Sequence, residues 1–363
     1  MKIAIFGLTV SSSWGNGHAT LWRGLCAALS RQGHRVVFFE RDTPYYAMNR
    51  DMLAIPGGEL VIYDTWENVR HRARQEVADA DAALVTSYCP DAVPAGELVL
   101  DAARALAVFY DLDTPVTLSR LDRGETIPYL GPRALADFDL VLSYTGGGAL
   151  EALERELGAR RALPLYGHVD PDVHRPVDPA PHYRCALSYL GTYSSDRQAA
   201  LETLFIKPAR TRPHLRFLIG GAQYPQDFPW WPNIFFVRHL PPPEHPAFFC
   251  SSRLTLNVTR EPMARMGWCP SGRLFEATAC GTVVLSDFWD GLDAFFSPGD
   301  EILVARETED ALAALDLSDA EIRRLAGAAR ERTLAEHTSE RRAGELVAAL
   351  QSAVAPVREL KRA

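Results

Sequence analysis

The sequence has few cysteines, no excess of basic residues and no long apolar run. Its six cysteines stand singly, never as Cys-x-x-Cys, which argues against a zinc knuckle or a disulfide framework and favours the reducing cytoplasm. The formal net charge is −8, with acidic and basic residues mixed along the chain, so we do not expect nucleic acid as a partner. The opening run "IAIFGLTV" is too short for a membrane span and lacks the features of a signal peptide. We therefore expect a cytoplasmic protein with no integral membrane segment.

The sequence does contain a repeated alternation of strand-like and helix-like segments. Its 363 residues exceed the usual length of one domain. Apolar runs of strand length recur, and the longer intervals between them carry helical periodicity. This βαβ pattern predicts an α/β fold with two parallel sheets, each covered by helices on both faces. The runs are KIAIFGLT, HRVVFFE, ELVIY, AALVTS, LAVFYD and DLVLSY and, after about residue 180, CALSYLG, LRFLIGG, IFFVRHL, RLTLNVT, TVVLSD and EILVA.

A segment rich in proline, aspartate and histidine separates the two sets of strands. This segment, "LYGHVDPDVHRPVDPAPHY", cannot continue a helix or a central strand. Near the end of the chain, "SDAE" at 318–321 is a capping box that predicts the start of a helix. We expect an N-terminal domain over 1–167, a linker over 168–182, a C-terminal domain over 183–338, and over 339–363 a last helix that packs back on the N-terminal domain.

A glycine-rich turn, "GNGH", lies between the first strand and the first helix. The apolar spacing predicts this helix over 18–31, and Gly33 is placed to end it in the left-handed conformation. Gly17 and His18 would then lie at the carboxyl edge of a parallel sheet, where open α/β sheets bind ligands. Glycine lets the backbone approach a ligand, and the free amides of a first helical turn favour an anion. The motif alone fits equally well a tight turn with a solvated histidine.

Three motifs, spaced over nearly the whole chain, resemble those of one superfamily. The segment "FEATACGTVVLSD" is similar to an "EAMACGxPVxxs" signature, "GHVDPDVHRP" to an "NGVDxxxFxP" linker, and "GNGHATLWRGLCAALSRQGHRVVFFE" to a glycine-rich first loop with its second strand. The chain thus resembles the GT-B glycosyltransferases, in particular the CgeB-like group and more distantly glycosyltransferase family 4. The resemblance implies two Rossmann-like domains that face each other across a cleft. It also implies sugar transfer from a UDP-, dTDP- or GDP-sugar to a hydroxyl acceptor.

The resemblance places the nucleotide-sugar donor on the C-terminal domain. Glu276 corresponds to a glutamate that binds the nucleotide ribose, whose two hydroxyls a carboxylate can accept together. Arg197 stands where family 4 has a phosphate-binding lysine, and the alternative is a solvated surface arginine. Arg273 shares a helix face with Glu276 and is a second phosphate candidate, with a plain salt bridge to Glu276 as the alternative. The other predicted donor contacts are Gly17, Gly220, Gly221, Val237, His239, Arg260, Ser271 and Gly272.

The chemistry of transfer gives roles to residues of the N-terminal domain. In the absence of a metal ion, fixed cations and helix amides must stabilise the departing diphosphate. The resemblance makes His18 the candidate general base, since several inverting GT-B enzymes have a histidine there and imidazole suits that role. Asp111 or Asp113 could orient His18 or bind the acceptor. Tyr45 and Tyr46 could stack on a sugar acceptor.

Several alternatives stay open at this point. The Asp-x-Asp pattern of Asp111 and Asp113 also fits the divalent-ion site of GT-A glycosyltransferases, but those have one nucleotide domain, so we expect no metal ion and no cofactor besides the donor. Trp268 stands where family 4 has a glutamate for the donor sugar, so neither the identity of the sugar nor the stereochemistry of transfer can be predicted. The same difference also allows a second function, that of a catalytically silent nucleotide-sugar-binding protein in surface-glycan or spore-coat assembly. An NAD-dependent dehydrogenase is less favoured, because "GNGHAT" lacks the third glycine of Gly-x-Gly-x-x-Gly. The sequence does not indicate an oligomeric state.

Overall fold

The chain folds into two compact α/β units. The computed structural model describes the backbone of residues 1–360 and the side chains of residues 1–353. The first unit consists of Met1–Tyr166 together with the last helix, and the second consists of Gly167–Thr338. The segment 168–182, which is rich in proline and aspartate, belongs to the second unit.

The first unit is built on a seven-stranded sheet in which all neighbouring strands are parallel. Every strand predicted for this half of the chain is present, and a further one of three residues, β7, lies at the sheet edge, where its length was too short to give a pattern. The order across the sheet is β3-β2-β1-β4-β5-β6-β7. The strands are β1 (Lys2–Gly7), β2 (Arg35–Arg41), β3 (Glu59–Tyr63), β4 (Ala82–Thr86), β5 (Leu106–Asp111), β6 (Leu140–Ser143) and β7 (Ala162–Pro164).

Both faces of this sheet are buried, which explains why its strands are continuous apolar runs. Ile5 and Phe38 belong to the core on one face, and Phe6 and Phe39 to the core on the other. The helices that cover these faces lie between consecutive strands. They are α1 (His18–Arg31), α2 (Pro44–Ala47), α3 (Trp66–Ala78), α4 (Ala92–Leu100), α5 (Thr114–Asp122) and α6 (Gly148–Leu157).

Helix α1 has the predicted bounds and is joined by the last helix of the chain, α14 (Ser339–Leu360). Gly33, with φ at +80°, follows the end of α1 in the predicted left-handed conformation. Leu346 and Leu350 of α14 are fully buried in the same core as Trp22 of α1. The end of the chain therefore completes the core of the first unit, as the sequence predicted.

The second unit is built on a six-stranded parallel sheet of order β10-β9-β8-β11-β12-β13. All six strands predicted for this half are present, and the capping box at 318–321 starts α13 through bonds between Ser318 and Glu321. The strands are β8 (Cys185–Leu190), β9 (Phe217–Gly221), β10 (Ile234–Arg238), β11 (Ser252–Asn257), β12 (Val283–Asp287) and β13 (Leu303–Ala305). The helices are α7 (Gln198–Leu201), α8 (Lys207–Thr211), α9 (His245–Cys250), α10 (Glu261–Met266), α11 (Gly272–Ala279), α12 (Thr308–Leu315) and α13 (Asp319–Glu336), with a π-helical stretch (Glu202–Ile206) between α7 and α8.

Each sheet has a point where the strand order reverses. This point lies between β1 and β4 in the first unit and between β8 and β11 in the second. Open α/β sheets bind ligands outside the carboxyl ends of the strands at such a point. The ends of β8 and β11 are therefore the first place to look for a ligand site in the second unit. None of the described helices combines the length and the apolar character needed to cross a membrane.

Candidate functional site

Arg273 lies at the reversal point of the second sheet. It is in the first turn of α11 and donates through Nη1 to Oδ1 of Asn257, the last residue of β11, at 3.0 Å. Its guanidinium lies over the ring of Tyr189 in β8, 5.0 Å from the ring centroid. Burial lowers the pKa of Arg273, and the positive charge of Arg197 lowers it further. Two cations are thus held close enough to repel each other.

Neither Arg197 nor Arg273 forms an ion pair with a carboxylate among the described residues. Arg197 ends a short 3₁₀ turn before α7 and donates through Nη1 to the Thr192 carbonyl at 3.2 Å. The Nε atoms of both arginines are buried and bond to nothing in the described part of the chain. Two guanidinium groups with unused donors and no carboxylate in ion-pair contact form a site suited to a doubly charged anion.

Arg260, the third predicted phosphate contact, is in a different situation. It donates through Nε to Oδ2 of Asp196 at 3.0 Å. Asp196 also accepts a bond of 2.6 Å from the hydroxyl of Ser194. The charge of Arg260 is therefore offset within the protein, so among the three arginines it is the least suited to meet a phosphate.

The start of α11 adds backbone donors beside Arg273. Ser271 is the N-cap residue, and its Oγ accepts from the backbone N–H of Arg273 at 3.3 Å. Gly272 is the first helical residue and brings no side chain to this turn. Gly191, directly after β8, leaves space for the arginine, because a Cβ there would lie 2.8 Å from Nη2 of Arg273. The free amides of a helix N-terminus favour an anion, which fits the roles predicted for Ser271 and Gly272.

Glu276 follows one turn later on α11 and lies among two histidines. Oε1 is 3.9 Å from Nε2 of His174, and Oε2 is 3.9 Å from Nδ1 of His245. Burial lowers the pKa of His174 and lowers that of His245 to about 4, so both rings are neutral at pH 7. Arg273 forms no ion pair with Glu276 in the described structure, although the negative charge of Glu276 opposes the lowering of the pKa of Arg273 by burial.

The residues predicted to hold the base lie at the carboxyl ends of β9 and β10. The backbone N–H of Gly191 donates to Gly220 at 2.9 Å, and that of His239 donates to Gly221 at 2.7 Å. A Cβ on Gly221 would lie 2.0 Å from the Gly191 carbonyl oxygen, so only glycine permits this approach. Val237 is half-buried in β10 beside Gly220. These residues form a continuous strip of backbone next to Arg273.

Trp268 is held in place by the loop after β12. Its backbone N–H donates to the Asp290 carbonyl at 2.7 Å, and its φ is +50°. A Cβ on Gly291 would lie 2.5 Å from the indole, so the ring packs directly on that backbone. The indole is 37% exposed. An apolar ring therefore occupies the position where family 4 has a glutamate for the donor sugar.

In the first unit, His18 is the first residue of α1. Its Nδ1 is buried and has no hydrogen-bond partner among the described residues. Burial lowers the pKa of His18, and the negative charge of Asp113 opposes that shift. Tyr88, whose ring centroid is 6.1 Å from that of His18, donates its hydroxyl to Oδ2 of Asp113 at 2.7 Å. Asp113 is therefore the acidic residue that acts on His18 electrostatically.

Asp111, the last residue of β5, has a more interior position. It is fully buried, and burial raises its pKa to about 6. Its Oδ1 accepts from the backbone N–H of Asp113 at 3.0 Å. Neither aspartate belongs to a group of three metal-ligating side chains in the described part of the chain. The pair stabilises the strand end and is less suited to bind a divalent ion.

The other predicted residues of the first unit lie just before α1 and in the short helix α2. Gly17 is exposed just before α1. Tyr45 and Tyr46 lie in α2, with ring centroids 5.0 Å apart and ring planes nearly perpendicular. Tyr45 is 42% exposed, and its hydroxyl would lie 2.8 Å from a Cβ on Gly15. This tyrosine therefore covers the turn that leads to His18, a position compatible with contact to an acceptor.

Glu40 near the end of β2 bears on the dehydrogenase alternative. In dinucleotide-binding folds an acidic residue in this region binds the ribose. Here Glu40 is fully buried and accepts from the hydroxyl of Thr9 at 2.8 Å and from the backbone N–H of Val10 and Ser11 at 2.8 and 3.0 Å. The carboxylate holds the loop after β1 and has no room for a ribose, which disfavours NAD binding.

Sequence reasoning missed several residues of the second unit. Asn257 ends β11 and orients Arg273, and Tyr189 lies under its guanidinium. Asp287 ends β12 and accepts from the backbone N–H and the hydroxyl of Thr259, both at 2.9 Å. A scan of the last residue of each predicted strand would have found Asn257 and Asp287. His174 and His245 gave no local signal, because they reach Glu276 from distant parts of the chain.

Comparisons with known proteins agree with this geometry. Residues 197–348 match the family described as glycosyl transferase-like, and no curated protein sequence matches the chain significantly. Sucrose-phosphate synthase from Thermosynechococcus elongatus is 15% identical, with a TM-score of 0.69 over 98% of this chain and 100% of that one. An alpha-glucosyltransferase solved with UDP and DNA is 14% identical, with a TM-score of 0.70 over 97% and 99%. HepE from Anabaena, solved with UDP and glucose, is 14% identical, with a TM-score of 0.66 over 97% and 100%.

The solved structures show the fold of the protein. The chain has the GT-B fold of these glycosyltransferases, with two parallel sheets that correspond to the two Rossmann-like domains. Its residues 197–348 are similar to the glycosyl transferase-like family. The fold predicted from the three sequence motifs is thereby confirmed. The narrower resemblance to the CgeB-like group and to family 4 stays a prediction.

Proposed function

We propose that this protein is a glycosyltransferase that transfers a sugar from a UDP-sugar to a hydroxyl acceptor. The observation that carries the proposal is the pair Arg197, before α7, and Arg273, in the first turn of α11, two close cations that form no ion pair with a described carboxylate. Sugar transfer leaves a nucleoside diphosphate with growing negative charge, and fixed cations with helix amides stabilise that charge. Uridine is the base we propose, since UDP is bound in the alpha-glucosyltransferase and in HepE.

Glu276 is our candidate for the ribose. It lies one helical turn beyond Arg273 on α11, so an anion at the helix start would place a following ribose near this carboxylate. A carboxylate can accept bonds from both ribose hydroxyls. The strip of backbone at Gly220, Gly221 and His239 would then contact the base.

His18 is our candidate general base. Burial keeps its pKa below the ordinary value, so the imidazole is neutral at pH 7 and can accept a proton from the acceptor hydroxyl. Asp113 would stabilise the imidazolium that forms, because its negative charge already favours the protonated ring. Transfer of this kind needs no metal ion, since Arg197 and Arg273 meet the charge of the diphosphate.

A donor screen tests the activity. Hydrolysis and transfer are measured with UDP-, dTDP- and GDP-sugars, in the presence of a metal chelator. We expect turnover with a UDP-sugar and little with the others. Binding of UDP without turnover of any sugar donor would instead favour a catalytically silent nucleotide-sugar-binding protein, the second candidate, which Trp268 in place of a glutamate keeps open.

The Glu276→Ala variant tests the donor site itself. Removal of hydrogen bonds to a charged group should weaken UDP binding by about 10- to 100-fold in calorimetry. Glu261→Ala is the matched control, because Glu261 belongs to the same unit, on α10, and pairs with exposed Arg265. Unchanged UDP affinity in Glu276→Ala would remove this residue from the site.

A further inference from the structure

The group of His174, His245 and Glu276 goes beyond what donor binding requires. A ribose needs the carboxylate alone, yet two imidazoles from other segments meet it. Nε2 of His174 is 3.5 Å from Nδ1 of His245. His174 lies shortly after the start of the second unit, His245 begins α9 and Glu276 lies on α11. Three separate segments thus bring one potential ligand atom each to a single point, and these atoms all lie within 4.8 Å of one another.

We propose that His174, His245 and Glu276 form a binding site for a divalent transition-metal ion such as Zn²⁺. Two imidazole nitrogens and one carboxylate oxygen are a ligand set that such ions prefer, whereas Mg²⁺ and Ca²⁺ prefer oxygen ligands. A fourth position would be open to water, as in zinc sites with three protein ligands.

The distances between the carboxylate and the imidazoles fit shared coordination better than hydrogen bonding, whereas the 3.5 Å between the two imidazoles also allows a hydrogen bond. The carboxylate oxygens of Glu276 are 3.9 Å from the imidazole nitrogens, too far for a hydrogen bond. Two ligand atoms that each lie about 2.0–2.1 Å from a tetrahedral ion are separated by about 3.4 Å. The nitrogen–nitrogen separation of 3.5 Å is already close to this value. The two oxygens of Glu276 each lie 3.9 Å from a different imidazole nitrogen, so the carboxylate must move closer by side-chain rotation to hold an ion with both rings.

The second ring nitrogen of His245 supports the same interpretation. Nε2 of His245 lies 3.2 Å from the Leu240 carbonyl oxygen, so this nitrogen carries the proton and donates it. The lone pair of the neutral ring is then on Nδ1, the atom that faces His174 and Glu276. A ligating histidine almost always donates its other N–H to such an acceptor, which fixes the tautomer and the ring orientation.

The site has a consequence for the nucleotide. If Glu276 binds the ribose, as proposed above, the metal ion and UDP compete for the same carboxylate. Zinc should therefore weaken UDP binding by at least about tenfold at saturation. This consequence depends on the proposed function, whereas the metal site itself does not.

Calorimetric titration of the whole chain with Zn²⁺, without nucleotide and after removal of bound metal by a chelator, tests the site. We expect one tight site per chain that His174→Gln and His245→Gln each weaken by about 10- to 100-fold, and no comparable binding of Mg²⁺. His214→Ala is the matched control, because His214 is exposed in the same unit. Cys250→Ser tests whether the thiol of Cys250, which lies 3.4 Å from the backbone nitrogen of Val177, is a metal ligand. Absence of a one-to-one site, or equal affinity in both glutamine variants and the wild type, would overturn the proposal.

A measurement on the unaltered protein guards against variants that fail to fold. X-ray absorption at the zinc edge should show two imidazole nitrogens and carboxylate oxygen, and sulfur ligands would overturn the assignment. UDP is then titrated with the chelator present and again with saturating Zn²⁺. Weak UDP binding in the chelator would contradict the donor site and leave the metal site standing. Equal UDP affinity in both conditions would overturn the competition.

Discussion

The two units share an architecture but differ in the charge at the carboxyl edges of their sheets. In the first unit this edge carries buried carboxylates, among them Glu40 and Asp111, which bond to the protein's own loops. In the second unit it carries Arg197 and Arg273, neither of which forms an ion pair with a described carboxylate, beside the buried Asp287. Parallel sheets thus bring strand ends together in both units, while the residue types at those ends decide what each edge can bind.

A second contrast concerns how each core is completed. The second unit covers both sheet faces with helices from its own continuous stretch of chain. The first unit instead takes in α14 from the far end of the sequence, with Leu346 and Leu350 fully buried. The stability of the first unit therefore depends on a segment that lies outside its own run of strands.

The largest expected effect is on turnover and tests His18, at the carboxyl edge of the sheet of the first unit. His18→Ala should reduce the rate of sugar transfer by about 10²- to 10⁴-fold, because the acceptor hydroxyl loses its base, while UDP affinity stays the same. The wild-type rate should fall as the pH drops through the pKa of His18, which burial holds below 6.5. Steady-state kinetics over pH measures both effects. His34→Ala is the control, and wild-type turnover in His18→Ala would refute the assignment.

The next largest effect tests how the first unit is completed. Leu346→Ala should lower the free energy of unfolding by about 2–5 kcal/mol, since it leaves a cavity between α14 and the sheet. Denaturant unfolding measures the loss, and Leu346→Met, which keeps the volume, should cost less than about 1.5 kcal/mol. Hydrogen exchange should show lost protection in the strands of the first unit. Loss confined to the second unit would contradict the contrast between the units.

Removal of one cation tests the arginines at the carboxyl edge of the sheet of the second unit. Arg273→Ala should weaken UDP binding by about 10- to 100-fold, because hydrogen bonds from a charged group to the diphosphate are lost. Arg210→Ala is the matched control, since Arg210 in the same unit lies over the ring of Trp231, 5.0 Å from its centroid. Calorimetry with UDP and with pyrophosphate should show losses of similar size. A loss for UDP alone would place the arginine at the nucleoside instead.

The smallest expected effect concerns a buried aspartate at a strand end, which the sheets of both units have. Burial raises the pKa of Asp111 and of Asp287 from 3.8 to about 6. Each group therefore contributes stability that is present below pH 3.8 and lost as the pH rises through about 6. Asp111→Asn and Asp287→Asn should each raise the free energy of unfolding at pH 8 by roughly 1–3 kcal/mol relative to wild type. The gain should vanish near pH 4, and a gain that is equal at both pH values would show that the buried negative charge is not its cause.

The local pattern of apolar residues predicted most of the fold, because strands buried on both faces consist of consecutive apolar residues. Helix α1 could be placed to the residue from the spacing of its leucines and from Gly33. The edge strand β7 could not, since three residues carry no period. The sequence motifs also predicted Arg273 and Glu276 as neighbours on one helix face, because residues three apart on a helix lie side by side.

The partners of these residues were beyond local pattern. Arg260 and Arg273 look alike in the sequence, but Arg260 is neutralised by Asp196 and Arg273 rests on Tyr189 and Asn257. The same limit applies to His174 and His245, which are 71 residues apart and meet near Glu276. Such contacts depend on how strands pair and how helices cover the sheet.

The sequence by itself determined the order of strands and helices, the two parallel sheets and the strand ends at which a ligand can bind, because those features follow from periodicity along the chain. Only the tertiary structure decided which arginines lack an ion pair, which aspartates are buried, and that two distant histidines lie near Glu276. Ion pairing and burial depend on which residues are neighbours in space, and the pattern of residues along the chain does not specify those neighbours.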